Sequence, residues 1–345
     1  MKPEIEENLI KPRIGILNSN ELAAIAILES EVSFGFLEYC RDEGFRLIDA
    51  PHLTRATGAC ENFDTIFATE IQGIPIYLSQ TGQLYLEAFL HKFPKTCCIG
   101  PSFRKEERVD SRHAIEFSLC EIEVANCDLV QLREYAQGII HRMLSNLKKC
   151  NAELDLLGID KTWLDSLEPP YNVMTYEQAI NSLGLPWGSD LSSDNEQKLV
   201  RMNGLKPLFV THYPQEIKFF NMRENRGDPR VVNSMDLLMP YAGESLGAAE
   251  REEDYERLSR RLDASLMLKL MTKAIAKEPG MQGKNYEELK QEGTKRFEWY
   301  MEVVKQHPIQ HAGFGMGKNR LFQSFLGARD IRAAGSFVVN KDNLM

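Results

Sequence analysis

Three stretches of this chain gather residue types that could manage a nucleoside triphosphate. In GPSFRKEERVDSRHAIEFSLCEIEVA (100–125), Arg104 closes an extended run and a charged loop follows. Arg112 and His113 then open the next run, with Phe117 four residues beyond His113. Arginine takes phosphate oxygens bidentately, and an aromatic side chain on a strand offers a flat surface to a purine. In SMDLLMPYAGESLGAAERE (234–252), Asp236 and Glu244 flank a Pro/Gly loop, and Arg251 follows a Gly-Ala-Ala stretch of little bulk. Two carboxylates near phosphates are the hard oxygen ligands that Mg²⁺ takes, and small residues beside an arginine suit a close-fitting pocket for a small polar ligand. In GFGMGKNRLFQSFLGARDIR (313–332), Gly313, Gly315 and Gly317 clear one face of an extended strand. A flat ligand such as adenine could lie there, with Arg320 on the next helical turn reaching a phosphate. Taken singly, each segment has an ordinary alternative: a solvated hairpin tip, surface acids on a loop, or tight strand packing.

The elements that must position these groups follow from periodicity. Residues 21–44 read as a helix with Ala24, Ile27, Leu28, Phe34 and Leu37 on one broad face, Asn20 as N-cap and Gly44 as its stop. An extended segment ends at Pro51. Strand patterns dominate 65–126, interrupted by one short helix over 84–93. Asp128 caps an amphipathic helix carrying Leu132, Ala136, Ile139, Ile140, Met143 and Leu147 on one side. After a polar connector near 150–195, strands return in PLFVTHYP, EIKFFNM and VVNSMDLLM, the last two read as a hairpin about the turn 225–230. Residues 252–305 are helical and charged, broken at 278–283, and a final helix runs over 318–326. Strands with hairpin-sized gaps predict an α+β fold, a mostly antiparallel sheet flanked by helices, rather than alternating βαβ units. No GxxxxGK[ST] is present, and no Ser/His/Asp or Cys/His arrangement offers a nucleophile.

Composition bounds the class. The 345 residues are 43% hydrophobic and 26% charged, which fits a globular chain and excludes a disordered one. The formal net charge of −9 gives no overall attraction for a polyanion, so a nucleic-acid contact needs a local basic patch. Seven cysteines without a CxxC pair argue against a zinc ribbon or a disulfide framework and for a reducing compartment. With no secretory-type apolar segment at the N-terminus, the expected location is the cytoplasm.

Together and in this order, the three segments resemble the signature motifs of class II aminoacyl-tRNA synthetases. FRKEE followed by RHAIEF is similar to that family's FRxE…RHxxEF, and GFGMGKNR to its GxGxGxxR. The helix followed by GFRLIDAP resembles its first motif, which forms the dimer interface. TGQLYLEA (81–88), THYPQEIKFFNM (211–222), MDLLMP and GESLGAAEREE look like the asparaginyl/aspartyl subgroup, closest to the asparaginyl members, and the likeness covers about 20–335.

The resemblance implies ATP and Mg²⁺ as partners of the site and an aminoacyl-adenylate as product. By it, Arg104 would hold the α-phosphate and the amino-acid carboxylate, Arg320 the γ-phosphate, and Arg112 with His113 the outgoing pyrophosphate. Phe117 would stack on adenine over Gly315 and Gly317, and Asp236 and Glu244 would ligate Mg²⁺. Glu61 and Gln83 would receive the α-ammonium, Arg251 the side-chain carbonyl oxygen, and Glu106 would lie near the adenine amino group or the side-chain amide. Aspartyl members carry a lysine where this chain has Leu86, and without that cation a β-carboxylate would meet Arg251 alone among acids. Asparagine is therefore expected over aspartate.

The sequence departs from the subgroup in two places. Only about 20 residues precede the first-motif helix, too few for an anticodon-reading OB barrel, and IRAAGSFVVNKDNLM replaces the family's IRDVxxFPR. The whole of 1–345 is therefore expected to be one catalytic domain with a helical insertion over about 253–308. One insertion helix carries Arg257, Arg261, Lys269, Lys273 and Lys277 opposite Leu258, Leu262, Leu266 and Leu270: a basic stripe for RNA or a carrier protein, or the wet side of a packed helix. The expected activity is formation of asparaginyl-AMP and its transfer to a non-tRNA or unidentified acceptor, by a homodimer. Transfer to tRNA through the acceptor end alone, an ammonia-dependent asparagine synthetase and a non-catalytic amino-acid sensor stand as alternatives.

Overall fold

The computed structural model describes residues 1–56, 65–105, 110–278 and 280–340. Its elements, in order, are α1 (Pro3–Leu9), α2 (Asn20–Asp42), β1 (Arg46–Leu47), β2 (Leu53–Thr54), β3 (Ala68–Ile71), β4 (Ile74–Leu78), α3 (Gln83–Ala88), β5 (Lys95–Phe103), β6 (Glu116–Ala125) and α4 (Leu129–Leu147). There follow α5 (Asn151–Leu157), α6 (Lys161–Ser166), β7 (Asn172–Thr175), α7 (Tyr176–Leu183), α8 (Ser193–Met202), β8 (Leu208–Thr211), β9 (Ser234–Met239) and β10 (Gly243–Glu250). The chain then forms α9 (Tyr255–Ala264), α10 (Leu266–Ile275), α11 (Tyr286–Arg296), α12 (Glu298–Gln306), β11 (His311–Gly317) and α13 (Lys318–Leu326).

Eight strands form the main sheet in the order β1-β5-β6-β11-β10-β9-β8-β7. Its interior pairs are antiparallel, and only the two edge pairs, β1 with β5 and β7 with β8, are parallel. A small sheet, β2-β4-β3, lies apart. The α+β expectation holds.

Alternation along the central strands splits the sheet into two unlike faces. Cys97, Cys120, Ile122, Val124, Met235, Leu237, Ala248, Ala312 and Phe314 enter one core with Leu28, Val32 and Phe36 of α2 and Leu132, Ile139, Ile140 and Met143 of α4. The two helices cross closely because residue 35 is glycine: a methyl there would sit 2.8 Å from the Met143 Cα. Ser19, one residue before the expected cap, accepts the Leu22 N–H at 3.1 Å and starts α2. Asp128 caps α4 as expected, in a capping box with Gln131. Ile27 and Phe34 do not join the buried face of α2; they are 46% and 53% exposed on its outer stripe.

Three sequence expectations need correction. The 150–195 stretch is no polar connector, since α5, α6, α7 and β7 fold there and the last two pack with α8 in a core of their own. EIKFFNM forms no strand; isolated bridges flank it, Pro214 to Val231 and Glu224 to Val232, and its own Met222 bridges to Arg251, while β9 pairs with β8 and β10. The basic stripe also breaks. Ser265 is extended at φ −64°, ψ 144° and caps a new helix, which rotates α10 relative to α9. Leu266 thereby becomes exposed, Met267, Leu268 and Met271 turn inward, and Arg261 bends in to the Met222 carbonyl.

Candidate active site

The other face of the sheet carries the chemistry. Register places Glu123 across from Gly313, Glu121 from Gly315 and Leu119 from Gly317. Gly315 and Gly313 in turn face Gly247 and Ala249, and Gly247 faces Asp236. Cross-strand partners share a face, so one floor runs from Glu123 to Arg320, about 13 Å along four residues of β11. The glycine stripe is not as bare as the sequence implied. A methyl on Gly313 would overlap the Glu123 carboxyl, one on Gly315 would lie 3.6 Å from Glu121, and one on Gly317 would lie 3.7 Å from the Arg320 side chain.

At one end of this floor three arginines converge. Arg104, at the end of β5, holds its guanidinium 5.4 Å over the Phe117 ring, and its Nε has no hydrogen-bond partner among the described residues. One face of the Phe117 ring, the side chain expected to stack on adenine, thus carries Arg104 here. Arg112 donates from Nε to the Ala242 carbonyl at 2.8 Å and pairs through Nη2 with Glu196 at 2.5 Å; its Nη1 is buried without a partner among the described residues. That pairing ties Arg112 to α8 and leaves the Nη1 amino group for a pyrophosphate. His113 is held by Asp110 at 2.7 Å and is partly exposed. Arg320 donates to the Glu244 carbonyl at 2.7 Å. Burial, and then the neighbouring Arg112 and Arg104 charges, hold its pKa below the ordinary arginine value against the pull of Glu244. Like charges packed together in this way make the cluster receptive to a polyanion.

Beside the arginines opens a cavity of about 390 Å³, lined among others by Arg112, Arg320, Lys218, Asp236, Glu244 and Glu196. A methyl on Gly247 would lie 3.4 Å from a Glu244 carboxylate oxygen and 3.6 Å from one of Asp236. The two carboxylates therefore converge over a residue without a side chain, and this hard-oxygen pair fits Mg²⁺ shared with phosphate. Asp236 also pairs with Lys218 at 3.0 Å, so part of its charge is already balanced.

At the other end lies a buried polar cluster. Arg251 reaches Glu123 at 2.7 Å through Nη2, and its Nε stands 3.8 Å from Glu87. Glu87 accepts from Tyr300 at 2.8 Å and Gln83 at 2.5 Å and meets His311 Nε2 at 3.1 Å. His311 Nδ1 also contacts the Ile309 carbonyl at 2.6 Å. A carbonyl and a carboxylate can only accept, so both ring nitrogens must carry protons. Burial lowers the His311 pKa, but Glu87 outweighs it and the net shift is upward. Gln83, expected to meet the α-ammonium, is buried in this cluster and bonds Glu87. Glu61 and Glu106 lie outside the described residues. Leu86 is wholly buried, and the acids facing Arg251 are Glu87 and Glu123.

Oε2 of Glu123, an acceptor, and Nε of Arg251, a donor, are buried here without hydrogen bonds among the described residues, as is Oδ1 of Asn221, whose Nδ2 donates to Glu87. Glu121, Glu123, Glu196, Lys218, Tyr300 and His311 escaped the sequence reading. The E-I-E alternation at 121–123, on a strand opposite alternate glycines, is the one signal that points to any of them.

Comparison with known proteins identifies the family. The family described as tRNA synthetases class II (D, K and N) matches residues 5–341. Asparagine–tRNA ligase of Pyrococcus abyssi is 32% identical over 328 residues, 93% of this chain and 69% of that protein. That of Pelotomaculum thermopropionicum is 34% identical over 325 residues, 91% and 68% of the two chains. The crystal structure of the Pyrococcus horikoshii asparaginyl-tRNA synthetase complexed with asparaginyl-adenylate superposes with a TM-score of 0.83 at 30% identity, covering all of this chain and 74% of that one. The protein belongs to the class II tRNA synthetase family (D, K and N), ATP-dependent ligases.

Proposed function

We propose that this enzyme activates asparagine with ATP, forming asparaginyl-AMP and pyrophosphate. The observation that carries this reading is the pair of buried atoms, Glu123 Oε2 and Arg251 Nε, without a hydrogen bond among the described residues. Glu123 Oε2 can accept from a carboxamide NH₂ while Arg251 Nε donates to its oxygen. An aspartate carboxylate would set lone pairs against Glu123 and pay desolvation without a new cation, whereas a neutral amide satisfies both orphaned atoms. The likeness to a synthetase solved with asparaginyl-adenylate supports the same ligand.

In this reading the α-carboxylate of asparagine attacks the α-phosphorus in line. An O–P bond forms, the bond to the bridging oxygen breaks, and pyrophosphate leaves. Arg104 holds the α-phosphate and the carboxylate. Phe117, over the Gly315 and Gly317 stretch, stacks on adenine once Arg104 turns to phosphate. Arg320, Arg112 and His113 take the outgoing phosphates. Asp236 and Glu244 would hold Mg²⁺, which when bound neutralises phosphate charge. Gln83 and, outside the described residues, Glu61 and Glu106 complete the substrate contacts. Catalysis then rests on positioning and cation clamps.

The similarity to ligases named for tRNA weighs for tRNA as acceptor over the non-tRNA acceptor expected from the sequence. Residues 1–345 act as one catalytic unit, with α9–α12 as its insertion. Ile27 and Phe34 on α2, with Leu47 on the edge strand β1, supply an exposed apolar stripe for a second copy. Pyrophosphate exchange across all amino acids, followed by transfer to unfractionated tRNA, tests the reading. Asparagine should drive exchange and charge tRNA; exchange with aspartate alone, or with no amino acid, contradicts it.

A further inference from the structure

Glu123 sits where its proton decides what the pocket can read. The groups around it come from every neighbouring element: Arg251 beyond β10, Glu87 on α3, His311 on β11, and Glu121 on its own strand, with Tyr300 of α12 reaching the cluster through Glu87. One carboxylate oxygen each of Glu87 and Glu123 and one ring nitrogen of His311 lie within 4.8 Å of one another. With both carboxylates ionised, Arg251 and protonated His311 balance them. An incoming β-carboxylate would then add one uncompensated charge in a dry site and face the orphaned Glu123 Oε2 acceptor to acceptor. One proton removes both objections, because a neutral Glu123 donates from the same oxygen that otherwise accepts.

We propose that protonation of Glu123 switches the pocket from a carboxamide reader to a β-carboxylate reader, making aspartate a second, proton-gated substrate. This rests on the asparagine-activating reading above and adds a substrate to it. Burial pushes the Glu123 carboxyl up to about 7, with Glu87 adding to the shift and Arg251 opposing it. The exchange of readers therefore falls within ordinary assay pH. Gln83, which bonds Glu87 and not Glu123, has no part in the switch.

Pyrophosphate exchange by the full chain with asparagine and with aspartate, between about pH 5.5 and 8.5 where the β-carboxylate of free aspartate stays ionised, tests this. Because asparagine needs Glu123 ionised and aspartate needs it protonated, the asparagine-to-aspartate ratio of kcat/KM should fall ~10-fold per pH unit as pH drops. In Glu123→Gln the ratio should be flat. Should that variant not fold, calorimetry of the wild type with the sulfamoyl analogues of the two adenylates, in buffers of different ionisation enthalpy, gives the same information. At pH 8 the aspartyl compound should take up one proton more than the asparaginyl one. A constant ratio in the wild type, a sloping ratio in Glu123→Gln, or equal proton uptake would overturn the proposal while leaving asparagine activation intact. Absence of asparagine-dependent exchange at every pH would overturn both.

Discussion

At the scale of single residues, charge is matched to what must enter. Arg104, Arg112 and Arg320 crowd one end of the floor, with Arg104 Nε and Arg112 Nη1 unpaired among the described residues. Replacing Arg104 or Arg320 by alanine should lower pyrophosphate exchange at least ~100-fold, the scale of losing a preorganised donor at developing charge; wild-type rates in both variants would remove them from the reaction. Glu196 acts through Arg112 and is a positioning residue. Glu196→Ala leaves a buried guanidinium without its carboxylate and should destabilise the fold by about 3–5 kcal/mol, read by urea unfolding. Glu196→Gln should recover much of the stability while the KM for pyrophosphate in exchange stays raised. The arginines, Asp236 and Glu244 were legible because their spacing survives in the linear chain. The Arg112–Glu196 pair joins positions 84 apart, and nothing local to either predicts the other.

At the scale of elements, the β6–β11 register does the positioning. Gly313→Ala would drive a methyl into the Glu123 carboxyl, so the KM for asparagine should rise by more than ~10-fold, as for a misplaced binding group, with the KM for ATP little changed. An equal rise in both would mean that the register as a whole has shifted. Helix α4 depends on its capping box, and Asp128→Ala should cost about 1 kcal/mol, measurable by chemical denaturation. Strands of the central sheet, α2, α4 and α13 were readable because their apolar periods are strong. The break at Ser265 was not: both halves keep a helical period, and only the cap geometry re-phases the second. In the same way Glu121 and Glu123 alternate with Cys120 and Ile122 as any strand would, and their role emerges only when β11 lies opposite.

At the scale of the whole molecule, one apolar core packs on one face of the sheet, and the opposite face carries the polar floor beside a second apolar cluster around Ala249, Phe219 and Phe220. Among the described residues no helix is long and apolar enough to cross a membrane. For the dimer proposed through the outer stripe of α2, Phe34→Glu should shift sedimentation from dimer to monomer; an unchanged dimer would place the interface elsewhere. The pairing of ligand and floor is tested most directly by a crystal structure with the sulfamoyl analogue of asparaginyl-adenylate. The carboxamide should lie between Glu123 and Arg251, with the sulfamoyl group at Arg104 and adenine against Phe117. An analogue bound with its side chain away from Arg251, or its adenine away from Phe117, would contradict asparagine activation at this site.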